Sequence, residues 1–154
     1  MTKIILYVDD AAHACEQIPA ITAGAAPGAP HHWVVVACAP RMASRMSKWV
    51  SHSARENWRA KWFAKLQAQL LPALRRGGGH VTPVLATGPL TELTAVLKRE
   101  HAATQVVDAR RPRIGTELEP VAPGLQPPRS AGWRTLGGGL GMGTLLVLAH
   151  GFFE

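Results

Sequence analysis

The chain has 154 residues, the usual size of one domain and cramped for a second independent core. Apolar residues make up 47% and charged residues 18%, which excludes a disordered chain, and two cysteines, Cys15 and Cys38, exclude a disulfide-dense secreted scaffold. The net charge of +7 is concentrated, because Arg41 to Arg76 hold nine basic residues against one acid, Glu56. No uninterrupted apolar run of about 18 residues is present, so no transmembrane segment is expected. Met1 to Asp10 does not read as a signal peptide, and the expected location is the cytoplasm.

Lys3 to Val8 is a continuous apolar run that suits a strand buried on both faces of a parallel sheet. Cys15, Ile18 and Ile21 or Thr22 follow at near-helical spacing, and Pro19 is expected to end or kink that short helix. After the turn-rich stretch Ala25 to Pro30, His32 to Cys38 predicts a second buried strand. Met42 to His52 reads either as a separate helix or as an irregular lead-in. The longest helical signal is the series Ala54, Trp58, Trp62, Leu66, Leu70 and Leu74, widened by Phe63 and Leu71. Arg55, Arg59 and Lys65 read as lying off that stripe. The helix is expected to stop at Arg75-Arg76-Gly77, with cations in its last turn and glycine beyond.

His80 to Ala86 predicts a third strand, which Pro83 places at an edge or a bulge. Gly88 and Pro89 then open a helix over Leu90 to His101, with Leu93, Val96 and Leu97 on one face and Glu92 near its start. Thr104 to Val107 predicts a fourth strand ending in Asp108. Pro112 to Gly143 carries five prolines and eight glycines in 32 residues. It reads as a long loop over 112–142, with at most one helical turn near Trp133 to Leu136. Gly143 to Ala149 predicts the final strand. The expected fold is α/β: one domain over 1–154, with a five-stranded, parallel, doubly wound, Rossmann-like sheet and helices on both faces.

The stretch from Thr87 to Val107, with Gly88-Pro89 opening its helix, resembles the third helix and fourth strand of universal stress proteins. Lys3 to Asp9 resembles that family's first strand and its terminal aspartate. The likeness covers most of residues 1–110 in order and spacing. It implies a five-stranded parallel sheet, a cytoplasmic protein of the stress response and a homodimer paired through the last strand. It also implies an ATP or ADP site with Mg²⁺. That site would use Asp9, the backbone at Ala37 where the second strand ends, and a glycine motif after the fourth strand, beginning beyond Val107. The chain departs from the family there, because Asp108 and Arg111 stand where the first two glycines belong. Those glycines let phosphate reach the backbone, and an acid at position 108 repels a triphosphate unless an arginine or a metal neutralises it.

The ends of strands one and four are expected to meet where strand order reverses, the usual ligand crevice of such sheets. Asp9, Asp10, Ala37, Val107, Asp108, Arg110 and Arg111 are therefore the candidate nucleotide or small-anion site. On one reading the acids hold ribose or Mg²⁺ and the arginines meet phosphate. On the other, Asp9 or Asp10 caps the following helix and Asp108 pairs with a neighbouring arginine. No nucleophile motif accompanies the acids, so no catalytic residue is assigned. The seven histidines are scattered, and none forms a metal-ligand spacing with Cys15 or Cys38, which read as small apolar residues.

Arg55, Arg59, Lys61 and Lys65, with Trp49, Trp58 and Trp62 between and before them, have two readings. They form an anion surface for nucleic acid or an acidic partner, or they are a solvated helix face with tryptophans in the core or a dimer contact. The expectation is a non-enzymatic regulatory or scaffolding protein like the universal stress proteins, its nucleotide cleft altered or lost. The alternative is an anion-binding module using the basic helix 41–76.

Overall fold

The computed structural model describes residues 2–23, 29–41, 48–76, 78–114 and 117–128. The chain divides into two compact units, residues 1–111 with 118–128, and residues 112–117 with 129–154. In the second, only 112–114 and 117 lie among the described residues, and these carry no helix or strand. The first unit alternates strand and helix: β1 (Thr2–Val8), α1 (Ala11–Ala23), β2 (His31–Ala37), α2 (His52–Arg75), β3 (His80–Leu85), α3 (Leu90–His101) and β4 (Gln105–Asp108). The strands pair in the order β3-β2-β1-β4, and every pairing is parallel. Four strands are thus established where five were expected, because the predicted strand at 143–149 lies outside the described residues, as does the turn near Trp133.

The two central strands are apolar from Ile4 to Val8 and from Trp33 to Ala37 because both of their faces are covered there. Ile4, Leu6 and Val8 of β1, with Trp33, Val35 and Ala37 of β2, pack under α1 and under Leu66, Leu70 and Leu74 of α2. The alternate residues Ile5, Tyr7, Val34 and Val36 pack under α3 and Val121. Pro83 sits in β3 at one edge of the sheet, where its missing N–H costs no ladder bond on the open side. At the turn between α2 and β3, a Cβ on Gly79 would lie 3.0 Å from the carbonyl oxygens of both His31 and Leu74, tight enough that a side chain there would push on the backbone.

Of the two expectations for Pro19, ending the helix does not hold, since α1 continues to Ala23 with Pro19 inside it. Pro19 lies on the exposed side, where a carbonyl left without its helical N–H partner is open to hydration rather than sealed in the core. The buried line of α3 is Leu90, Thr94 and Leu97 rather than one through Val96, which is exposed. Thr94 is not a defect in that line. Its hydroxyl meets the buried Tyr7 hydroxyl and reaches the carbonyl oxygens of Leu90 (2.9 Å) and Val121. Burial pushes the Tyr7 hydroxyl above its ordinary pKa, and the bond with Thr94 opposes that shift. Pro89 stands at the N-cap without a side-chain bond to offer, and the Glu119 carboxylate accepts from the Leu90 N–H (3.1 Å) instead.

At the amino ends of the strands three imidazoles gather. The His32 ring centroid lies 4.9 Å from that of His80 and 5.7 Å from that of His101, and its Nε2 is 2.8 Å from the Thr82 hydroxyl. Partial burial, then the charges of His80, His101 and Lys3, hold the His32 pKa below its ordinary value. Between that lowered value and about 6.5 the unfolded chain binds more protons than the folded one. The folded state is therefore expected to lose stability as pH falls through about 6.5. Urea unfolding at pH 8 and pH 5 checks this, with His32→Gln flattening the dependence; an unchanged slope in that variant places the effect elsewhere.

Candidate functional site

β1 and β4 lie side by side, while β1 leads onward to β2 on its other flank, so strand order reverses between β1 and β4. Their carboxyl ends therefore frame the crevice in which open parallel sheets hold ligands. Asp9 and Asp10 follow β1, Ala37 ends β2, and Val107 and Asp108 end β4, with Arg110 and Arg111 just beyond. The candidate residues of the strand ends are thus brought to one end of the sheet.

What these groups do to one another decides what the crevice offers. The Arg110 guanidinium is buried, at 3% exposure for the residue, and grips Asp108 with two parallel bonds, Nε to Oδ1 at 2.8 Å and Nη2 to Oδ2 at 2.7 Å. Its Nη2 also donates to the carbonyl of Glu119. Burial lowers the Arg110 pKa, but the bond to Asp108 and its charge more than offset this, leaving it above the ordinary value. Neither partner is available to a ligand without leaving the other as an unpaired buried charge. Arg111 is different: its side chain is 62% exposed and reaches Asp10 at 3.4 Å, a contact too solvated to add much stability.

The backbone donors are equally committed. Ala109 N–H donates to the Tyr7 carbonyl (2.9 Å), continuing the β1–β4 ladder. Arg110 N–H donates to Asp108 Oδ1 (3.2 Å), and Arg111 N–H to Asp9 Oδ1 (2.7 Å). Asp10 caps α1, accepting from the His13 N–H at 3.1 Å, and this bond, opposed by partial burial and assisted by Arg111, holds its carboxyl below the usual range. Three successive N–H groups where a phosphate cradle needs free donors are therefore occupied by the protein's own oxygens. The residues present do not fit the phosphates of ATP.

Beside the crevice Cys38 is a free, part-buried thiol that burial pushes up to about 12, which leaves it protonated and unreactive at neutral pH. Cys15 is likewise free and part-buried. Among the described residues, no group of three histidine, cysteine, aspartate or glutamate side chains is placed to hold a metal ion, and no helix is long and apolar enough to cross a membrane.

The basic helix departs from its expected face. A step of four residues turns about 400°, so a strict four-residue repeat drifts about 40° per step. Leu66, Leu70 and Leu74 are buried, whereas Trp58 has rotated off that line and is 37% exposed. Arg59 stands seven residues before Leu66 and eleven before Leu70, within about 20° of each. Arg55 and Arg59 thus continue the line of the buried leucines rather than lying off it. Arg55 donates to the Val50 carbonyl at 3.2 Å and Arg59 pairs with Glu56 at 3.2 Å, while Lys61 and Lys65 are exposed. Trp62 and Phe63 pack at the margin of the core.

Glu119, Val121 and Thr94 are absent from the residues singled out by sequence. The one available signal was a threonine between Leu90 and Leu97 on an otherwise apolar line. Compared with family models, with curated proteins and with solved structures, the chain matches none.

Proposed function

We propose that this is a non-enzymatic regulatory or scaffolding protein built on the plan of the universal stress proteins, in which the nucleotide cleft has been closed by its own ion pairs. The reading rests on the N–H groups of Ala109, Arg110 and Arg111, all three of which are bonded to Tyr7, Asp108 and Asp9 where the family's glycine loop would present donors. The strand order β3-β2-β1-β4, with helices over both faces, supports a Rossmann-like plan. In that plan residues 143–149 add a fifth strand and pair with a second copy, and the protein acts in the cytoplasm.

Thermal unfolding with Mg-ATP, ADP and AMP tests the closed cleft. A ligand at 100 times its Kd adds about 2.7 kcal/mol, which raises Tm by several degrees in a domain of this size. The expected result is no shift at millimolar nucleotide. A rise that disappears in Asp9→Ala overturns the reading and makes Arg111 the phosphate partner.

A further inference from the structure

α2 is longer than the sheet it covers. Its 24 residues span about 36 Å, against about 23 Å for the seven residues of β2. A helix joining two parallel strands starts at their carboxyl ends and runs back to their amino ends. The excess of α2 accordingly overhangs the carboxyl end of the sheet, and among its residues before Leu66 none is buried. This overhang of about nine residues, the turn before it and the exposed positions just after it carry Lys48, Arg55, Arg59, Lys61 and Lys65 against Glu56 alone. They also carry two open indoles, Trp49 at 90% exposure and Trp58 at 37%.

We infer that the basic surface from Lys48 to Lys65, the overhang and its flanks, binds single-stranded nucleic acid, a function that lies beyond the closed-cleft reading and does not depend on it. Exposed indoles offer flat faces on which unpaired bases stack, and the interleaved cations follow the phosphate chain. Guanidinium groups meet phosphate with two donors each, and Arg59 has only an exposed, weak tie to Glu56 to give up. Paired bases in a duplex present no free face to Trp49 or Trp58. A lipid surface is disfavoured because Arg55 and Arg59 occupy the line that the leucines hold further along. An acidic peptide satisfies the cations but asks nothing of the two indoles.

Fluorescence anisotropy of a labelled oligothymidylate of about 15 nucleotides, titrated with the full chain, tests this. Neutralising three or four phosphates predicts affinity falling roughly 20- to 50-fold between 50 and 200 mM salt. Trp58→Ala and Trp49→Ala are each expected to weaken binding about fivefold or more, with the circular dichroism spectrum unchanged. Arg59→Glu weakens it further. Absence of binding at 50 mM salt overturns the inference. So does binding that both tryptophan variants retain in full, or that polyglutamate, duplex DNA or anionic vesicles compete for equally well. The nucleotide melts and this titration read different residues, so either proposal can fail alone.

Discussion

Arg110→Ala is expected to destabilise the protein by about 3–5 kcal/mol, the range for breaking a buried pair by removing one partner. The Arg110 and Asp108 side chains are each only 4% exposed, so solvent does little to screen them. Truncation strands the Asp108 carboxylate without its two guanidinium bonds and leaves the Glu119 carbonyl without its donor. For a domain of this size the loss corresponds to a fall in Tm of about 10–15 °C, read by thermal melting followed by circular dichroism. Asp108→Ala is expected to behave alike, and the double replacement Arg110→Met with Asp108→Leu recovers most of the loss, since an apolar pair of similar volume needs no partner. A cost below about 1 kcal/mol for Arg110→Ala is the value for a solvated pair, and it returns the crevice to consideration as an open ligand site.

Leu70→Ala in α2 is expected to cost about 2–5 kcal/mol, from lost transfer energy and the cavity left behind. Leu70 is fully buried, and with Leu66 and Leu74 it makes up all the buried residues of that helix. By contrast, Trp58→Ala, two turns beyond the buried end and open to water, is expected to change stability by about 0.5 kcal/mol or less. Urea unfolding of the two variants separates them. Equal losses at Leu70 and Trp58 would show that the whole helix is docked, with no free overhang.

The central strands were legible because burial on both faces leaves no room for alternation: Ile4 to Val8 and Trp33 to Ala37 are apolar without a break. Pro83 marked β3 as an edge through the donor it lacks. Both local readings of the acids were also within reach, since Asp10 is three residues from the N–H it caps and Asp108 is two from the arginine it pairs with. The bond from the Arg111 N–H to Asp9 was not legible, because it joins residues 102 positions apart in the chain. Nor was the cap on α3, which comes from Glu119, 29 residues downstream in a stretch without regular structure. The buried face of α2 departs from the four-residue stripe for a geometric reason. A repeat of exactly four is not the helical period, and over the twenty residues from Ala54 to Leu74 its drift carries the pattern about 200° around the axis.

The two faces of the sheet are also completed at different moments of synthesis. The layer of α1 and α2 is encoded before residue 76, whereas Ile5, Tyr7, Val34 and Val36 wait for α3 and then for Val121. At about 5–20 residues per second, a nascent chain carries that second apolar face uncovered for roughly 4 to 17 seconds after β2 has been made. Only once α2 ends at Arg75 can one face be roofed, and the other then still waits for α3 and Val121.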